Sequence, residues 1–267
     1  MRSIVNSTLL TVIPLAIAGL LFSPALNAQV THQSKPPQSS LPATSNLYSA
    51  GSYCQGDMQN DTHHAQYTSG LRYDIDCMMT QLKDYQHNEQ SPNTRYYAYK
   101  AQAWLNYAYS EDSEGSLTTA GTDALYQGLT LYYALQQNQL DQLDLTLAIP
   151  KSSSLMRPDL WATLQSLKHQ GGIEANPREL AFAEVKLIWA AAEYCEFGWR
   201  HAREHFAAAE RWINQSKVNY LNGNSSTNID SFTTDELMWY NQLQPLATRG
   251  QCQGVSLIKQ LPSSITA

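Results

Sequence analysis

The string His201-Ala202-Arg203-Glu204-His205 is the clearest chemical pattern in the chain. On a helix, two histidines four residues apart share a face and can hold a divalent ion between their imidazoles. A carboxylate just before the second can take a proton from a metal-bound water, the order found in inverted zinc peptidases. Such a centre needs a third protein ligand. Downstream stand only Glu210 in the same helix, then Asp230, Asp235 and Glu236 beyond a loop, and none falls in a recognisable ligand pair. The preferred reading is structural and needs no cofactor: His201 and His205 hydrogen-bond across a bundle or face solvent, and Glu204 is a surface residue. The alternative is a zinc-binding protein or zinc-dependent hydrolase with His201 and His205 as ligands and Glu204 as base.

Four cysteines form the next set: Cys54, Cys77, Cys195 and Cys252. They lack CxxC spacing, which argues against a thiolate zinc site, and their even number suits an oxidising compartment. Four thiols admit three pairings. Joining Cys54 to Cys77 and Cys195 to Cys252 is preferred, and a crossed pattern stays open. Gly250-Gln251-Cys252-Gln253-Gly254 imitates a nucleophile elbow, but that motif needs a strand before it and a later histidine. Here a helix is expected before it, and the last histidine is His205. The acidic run Glu111, Asp112 and Glu114 lacks the alternating ligands of a calcium loop and reads as a solvated turn. The 16 tyrosines and 6 tryptophans raise a glycan-binding module as a further alternative. Most of them fall at buried helical spacing, so core packing accounts for them first.

The elements that must position these groups are helical. Residues 1–28 have the order of a secretory signal: Arg2, an apolar run of 14 residues from Leu9 to Phe22, and small residues ending at Ala28. That run is short of the roughly 20 residues that span a bilayer, and no later segment approaches that length. Residues 29–52, rich in Ser, Pro, Gln and Thr, read as a flexible linker. Residues 53–267 read as a single all-α domain. Apolar spacing predicts helices over roughly 65–88, 93–110 and 117–139, a short helix from Pro158 to Gly171-Gly172, and the strongest signal from Pro177 onward. Gly198 ends or bends that last helix, the pattern running on to about Val218, and Thr233 or Thr234 caps a final helix to about Thr248. No strand pattern is convincing. The expected architecture is an antiparallel bundle of about six helices, with repeat-like helical hairpins as the lesser alternative.

Composition narrows the function classes. Of 267 residues, 43% are hydrophobic and 10% aromatic, the make-up of a packed globular protein, while Lys plus Arg number 17 against 23 Asp plus Glu, a net charge of −6. No basic excess is present to neutralise phosphates, so nucleic acid is not an expected partner.

Four blocks carry a resemblance: Lys100-Ala101-Gln102-Ala103-Trp104-Leu105, Met156-Arg157-Pro158-Asp159-Leu160-Trp161, Ala183-Glu184-Val185-Lys186-Leu187 and Gly198-Trp199-Arg200-His201-Ala202. In this order they resemble a helical periplasmic region of OmpA-like envelope proteins of Gram-negative bacteria, over roughly residues 93–215. Many such proteins continue into a C-terminal peptidoglycan-binding OmpA domain. After Ile213 this chain has a loop, one expected helix and a short tail, so peptidoglycan anchoring is not carried over. The resemblance implies an envelope-associated helical protein and brings no established activity. Taken together, the expectation is a non-enzymatic periplasmic protein, exported by its signal and associated with the outer membrane in a further variant of that reading. It has no transmembrane segment after cleavage and takes other envelope proteins as partners.

Overall fold

A computed structural model describes residues 70–114, 117–143, 148–224, 226–247 and 252–257. The expected signal (1–28), the linker (29–52) and Cys54 lie outside the described residues. Among those described are eight α-helices: α1 (Gly70–Leu82), α2 (Pro92–Ser113), α3 (Thr119–Gln136), α4 (Pro158–His169), α5 (Gly172–Ala175), α6 (Pro177–Phe197), α7 (Trp199–Asn222) and α8 (Ser226–Leu243). The fold is all-α.

Local chemistry sets most of the boundaries. Pro92, Pro158 and Pro177 open α2, α4 and α6, where a missing N–H is harmless and the fixed φ favours the helix. Ser91 Oγ accepts from the Thr94 N–H at 3.0 Å and Thr118 Oγ1 from the Gly121 N–H at 3.0 Å, capping α2 and α3. Gly198, at φ +80°, separates α6 from α7 by a single residue, so the bend left open by the sequence is a complete break. This break and the four-residue α5 account for eight helices where about six are expected. Nor is α8 capped by Thr233 or Thr234. It begins at Ser226, and both threonines lie inside it, their hydroxyls donating to the Ile229 and Asp230 carbonyls at 3.0 and 2.9 Å.

Two helical hairpins, α2 with α3 and α6 with α7, meet where α2 packs on α6, while α1 lies on α2 and α4 packs on α8. Contact between α4 and α8, far apart in sequence, is not the nearest-neighbour stacking of a repeat array. A bundle describes the arrangement better. Its centre holds Trp104, Trp161, Tyr96, Tyr107 and Tyr132, all fully buried. Gly128 lets α3 approach α2, since a Cβ there would sit 2.9 Å from the Leu105 side chain.

A short antiparallel ladder departs from the expected absence of strands. Strand β1 (Ala148–Ile149) pairs with β2 (Val255–Ser256), Ile149 opposite Val255. The segment leading into the C-terminal strand is anchored twice. Cys252 is joined to Cys195 near the end of α6, and the Gly254 N–H donates to the Ser153 carbonyl at 3.0 Å. The Ser153 hydroxyl in turn donates to the Ile188 carbonyl of α6 at 2.7 Å. Cys77, in α1, is also disulfide-bonded.

Candidate functional site

Helix α6 is the spine of the chemistry, because Glu184 and Lys186, two residues apart, point about 200° away from each other. Glu184 faces the core and is wholly buried. Its carboxylate lies 3.1 Å from Lys100 Nζ of α2 and 3.2 Å from Lys168 Nζ of α4, and it accepts from the Tyr96 hydroxyl. Lys100 also donates to the Tyr96 oxygen at 3.3 Å. Burial alone would raise the Glu184 carboxyl. The two ammonium groups and the phenol outweigh it and hold the group below its ordinary value, so it stays ionised. Burial, and then the carboxylate, push the Tyr96 phenol well up, which keeps it a donor. Lys100, Lys168 and Glu184 are each under a tenth exposed, so this cluster stitches α2, α4 and α6 together where no ligand reaches it.

Lys186 faces the other way, into a cleft of about 330 Å³ between α2, α6 and α7. Phe182, Trp189 and Trp212 form apolar walls, and Asn106, Ser110 and Ser113 of α2 bring polar groups to it. The Lys186 ammonium sits 3.3 Å from the centroid of the Trp189 ring and 2.9 Å from His205 Nδ1, to which it donates. No carboxylate among the described residues forms an ion pair with it. Glu193, the nearest acidic influence, accepts from the Trp189 indole N–H at 2.9 Å. Burial pushes Lys186 down to about 8 despite that carboxylate. Burial, and then the Lys186 charge, push His205 down to about 4, so it is neutral near pH 7. Its ring stacks on Trp189 at 4.3 Å, and Trp189 stacks on Tyr107 at the same spacing, a three-ring pile running from α7 through α6 to α2.

The HxxEH residues are thus divided by their surroundings. His201 and Glu204 are exposed on α7, with His201 5.1 Å from the Phe197 ring, whereas His205 is half-buried against Trp189 and Lys186. Among the described residues, no three His, Cys, Asp or Glu side chains gather as a metal site. Asp235 instead meets His169, its Oδ1 3.0 Å from the ring Nδ1. Glu236 pairs with Lys217 at 2.8 Å, and Glu210 lies 3.4 Å from Arg157, whose guanidinium also grips Asp159 at 2.7 Å. The acidic run is likewise spoken for. Rather than forming a turn, Glu111 and Asp112 sit in the last turn of α2, where Thr118 donates to Glu111 and Arg72 pairs with Asp112 at 2.9 Å.

A further surface stands out at the α6–α7 corner. Phe197 and Trp199 flank Gly198 and are 55% and 53% exposed, although most aromatic residues among those described are buried or half-buried. The Cys195–Cys252 bridge fixes this corner from one side, and Trp199 stacks on Phe206 at 5.7 Å from the other.

Comparison with protein-family models, with curated proteins and with solved structures finds no match to this chain. The envelope resemblance therefore stands on its four sequence blocks. Those blocks carry Lys100, Glu184 and Lys186, which sequence reasoning gave no role of their own. Two of them had a signal. Glu184 falls on the apolar register Leu180, Leu187, Ala191 of α6, and Lys100 four residues from both Tyr96 and Trp104 in α2. A charge in an apolar stripe needs a buried partner.

Proposed function

We propose that this chain is a non-enzymatic helical component of the bacterial cell envelope, working in an oxidising compartment and engaging other envelope proteins through the corner formed by Phe197 and Trp199. The exposed aromatic pair carries the reading. Exposed aromatic groups on a rigid support are the usual anchors of protein interfaces, and here one backbone break and one disulfide hold them in place. Paired cysteines suit an exported protein. No helix among the described residues is long and apolar enough to cross a membrane. The four-block resemblance points to the same setting, and a position at the outer membrane is a finer version of it.

The test places a photo-crosslinking amino acid at position 199 and, as a control, at exposed position 89, in the full chain expressed in a Gram-negative host. A discrete adduct from position 199 alone is expected, in the periplasmic fraction, and Trp199→Ala competes poorly for it. Trp199→Ala removes the stack on Phe206 and should cost about 1 kcal/mol, which leaves the chain folded for the comparison. Cytosolic retention with reduced cysteines, equal labelling from both positions, or turnover of a peptide or glycan by pure protein would each overturn the reading.

A further inference from the structure

The cleft beside Lys186 poses a problem of its own, independent of the corner. A lysine that is partly withdrawn from water normally finds a carboxylate, because a desolvated charge without a counter-charge is costly. Of the residues lining this cleft, Lys186 alone carries a charge, and none is acidic. Its ammonium has three donors. One is given to His205 Nδ1 and one face of the group rests on Trp189, which leaves a donor unclaimed among the described residues and bordering the cleft. Around it are Phe182, Trp189 and Trp212, with the Arg178 guanidinium 5.8 Å from the centroid of the Phe182 ring. The volume is within the range of small-molecule sites, which are mostly apolar with a few placed polar groups.

We infer that this cleft binds a small organic monoanion with a flat apolar body, such as an aromatic carboxylate, its acid group meeting Lys186 and its ring lying against Trp212 and Phe182. A neutral sugar would leave the cation without a counter-charge. A phosphate would ask for more donors than one ammonium supplies. A single carboxylate satisfies the lysine, and Ser110 and Asn106 bring further polar groups to the cleft, whereas the Ser113 hydroxyl is already given to the Ser110 carbonyl at 2.7 Å.

The probes are 2-naphthoate and its neutral isostere 2-naphthamide, titrated calorimetrically into the full mature chain. Naphthoate should bind to the wild type at least about tenfold more tightly than naphthamide, as expected for one charge-assisted contact. Lys186→Met should erase that preference, and Trp212→Ala should weaken both ligands. Indole N–H resonances give a reading on the wild type alone, so the test survives a variant that fails to fold. Trp189 and Trp212 should shift with naphthoate while Trp104 and Trp161 stay. Equal affinity for the two probes, no naphthoate binding at millimolar concentration, an unchanged preference in Lys186→Met, or shifts confined to other tryptophans would each overturn the proposal. Failure of the corner to crosslink would leave it untouched.

Discussion

Glu184 and Lys186 sit two residues apart on one helix and meet opposite fates. On the inner face, Glu184 is saturated: two lysines and a tyrosine from α2 and α4 converge on it with no exposure to solvent. On the outer face, Lys186 has an aromatic ring and a neutral imidazole for company, and no carboxylate among the described residues pairs with it. Glu184 is wholly withdrawn from water and Lys186 partly, yet only the first has a counter-charge among the described residues. The first arrangement is what a fold needs to fix three helices in register. The second has no counter-charge among the described residues, and the proposed anion site rests on that difference.

Breaking the inner cluster should have the largest effect. Glu184→Gln keeps the shape and the tyrosine contact but leaves two buried ammonium groups facing a neutral amide. Loss of one partner from a buried ion cluster costs about 3–5 kcal/mol, which urea denaturation at pH 7 should record. Replacing Lys100, Lys168 and Glu184 together by apolar residues of similar volume should recover most of that loss, since a buried ion cluster contributes little over a packed apolar one. If Glu184→Gln costs under about 1 kcal/mol, the net charge of the cluster is being relieved elsewhere and the contrast with Lys186 weakens.

The outer face should behave in the opposite way. Lys186 is held at about 8, below its ordinary 10.5, so folding penalises its charged form, and at pH 7 that penalty is present in full. Lys186→Met removes the penalty along with the ring contact and the bond to His205, for a net gain of about 1 kcal/mol by the same denaturation experiment. A gain in stability from deleting a charge, beside a large loss from deleting its neighbour two residues back, would be direct evidence that the cleft trades stability for an unfilled interaction. A loss would mean that Lys186 serves the fold.

How much of this contrast was legible beforehand depends on range. The proline-led starts of α2, α4 and α6 and the glycine at 198 depend on neighbours within a turn or two, and the sequence displays them openly. The start of α8 was obscured because Thr233 and Thr234 resemble caps, while the chain was already helical from Ser226. A two-residue ladder is too short to write an alternation, and its partner strand lies more than a hundred residues away. The HxxEH string correctly puts His201 and His205 on one helix. What decides the chemistry of His205, however, is burial against α6 and then the charge of Lys186 from that preceding helix, contacts that no spacing within α7 encodes. Glu184, Lys100 and Lys168 are similarly scattered over three helices, and only their place in apolar registers hints that they must meet.

A last effect, no larger than that of Lys186→Met, is a pH dependence carried by His205. Burial and the Lys186 charge hold its imidazole at about 4 in the folded protein, against 6.5 when unfolded. Between those values the unfolded chain binds more protons, so stability should fall as pH drops from 6.5 toward 4 and then level off. Half-exposure of the ring discounts the full shift by screening, leaving about 1 kcal/mol over that window. The difference between wild type and His205→Gln, followed by denaturation across pH 4 to 7, isolates this contribution from the carboxylates common to both chains. In a Lys186→Met background one of the two causes is gone and burial remains, so the slope should shrink without vanishing. If it does not change, burial alone sets the imidazole, and Lys186 and His205 answer to the cleft separately. A shrinking slope instead makes them one coupled pair, in which an anion that neutralises the lysine also relieves the histidine.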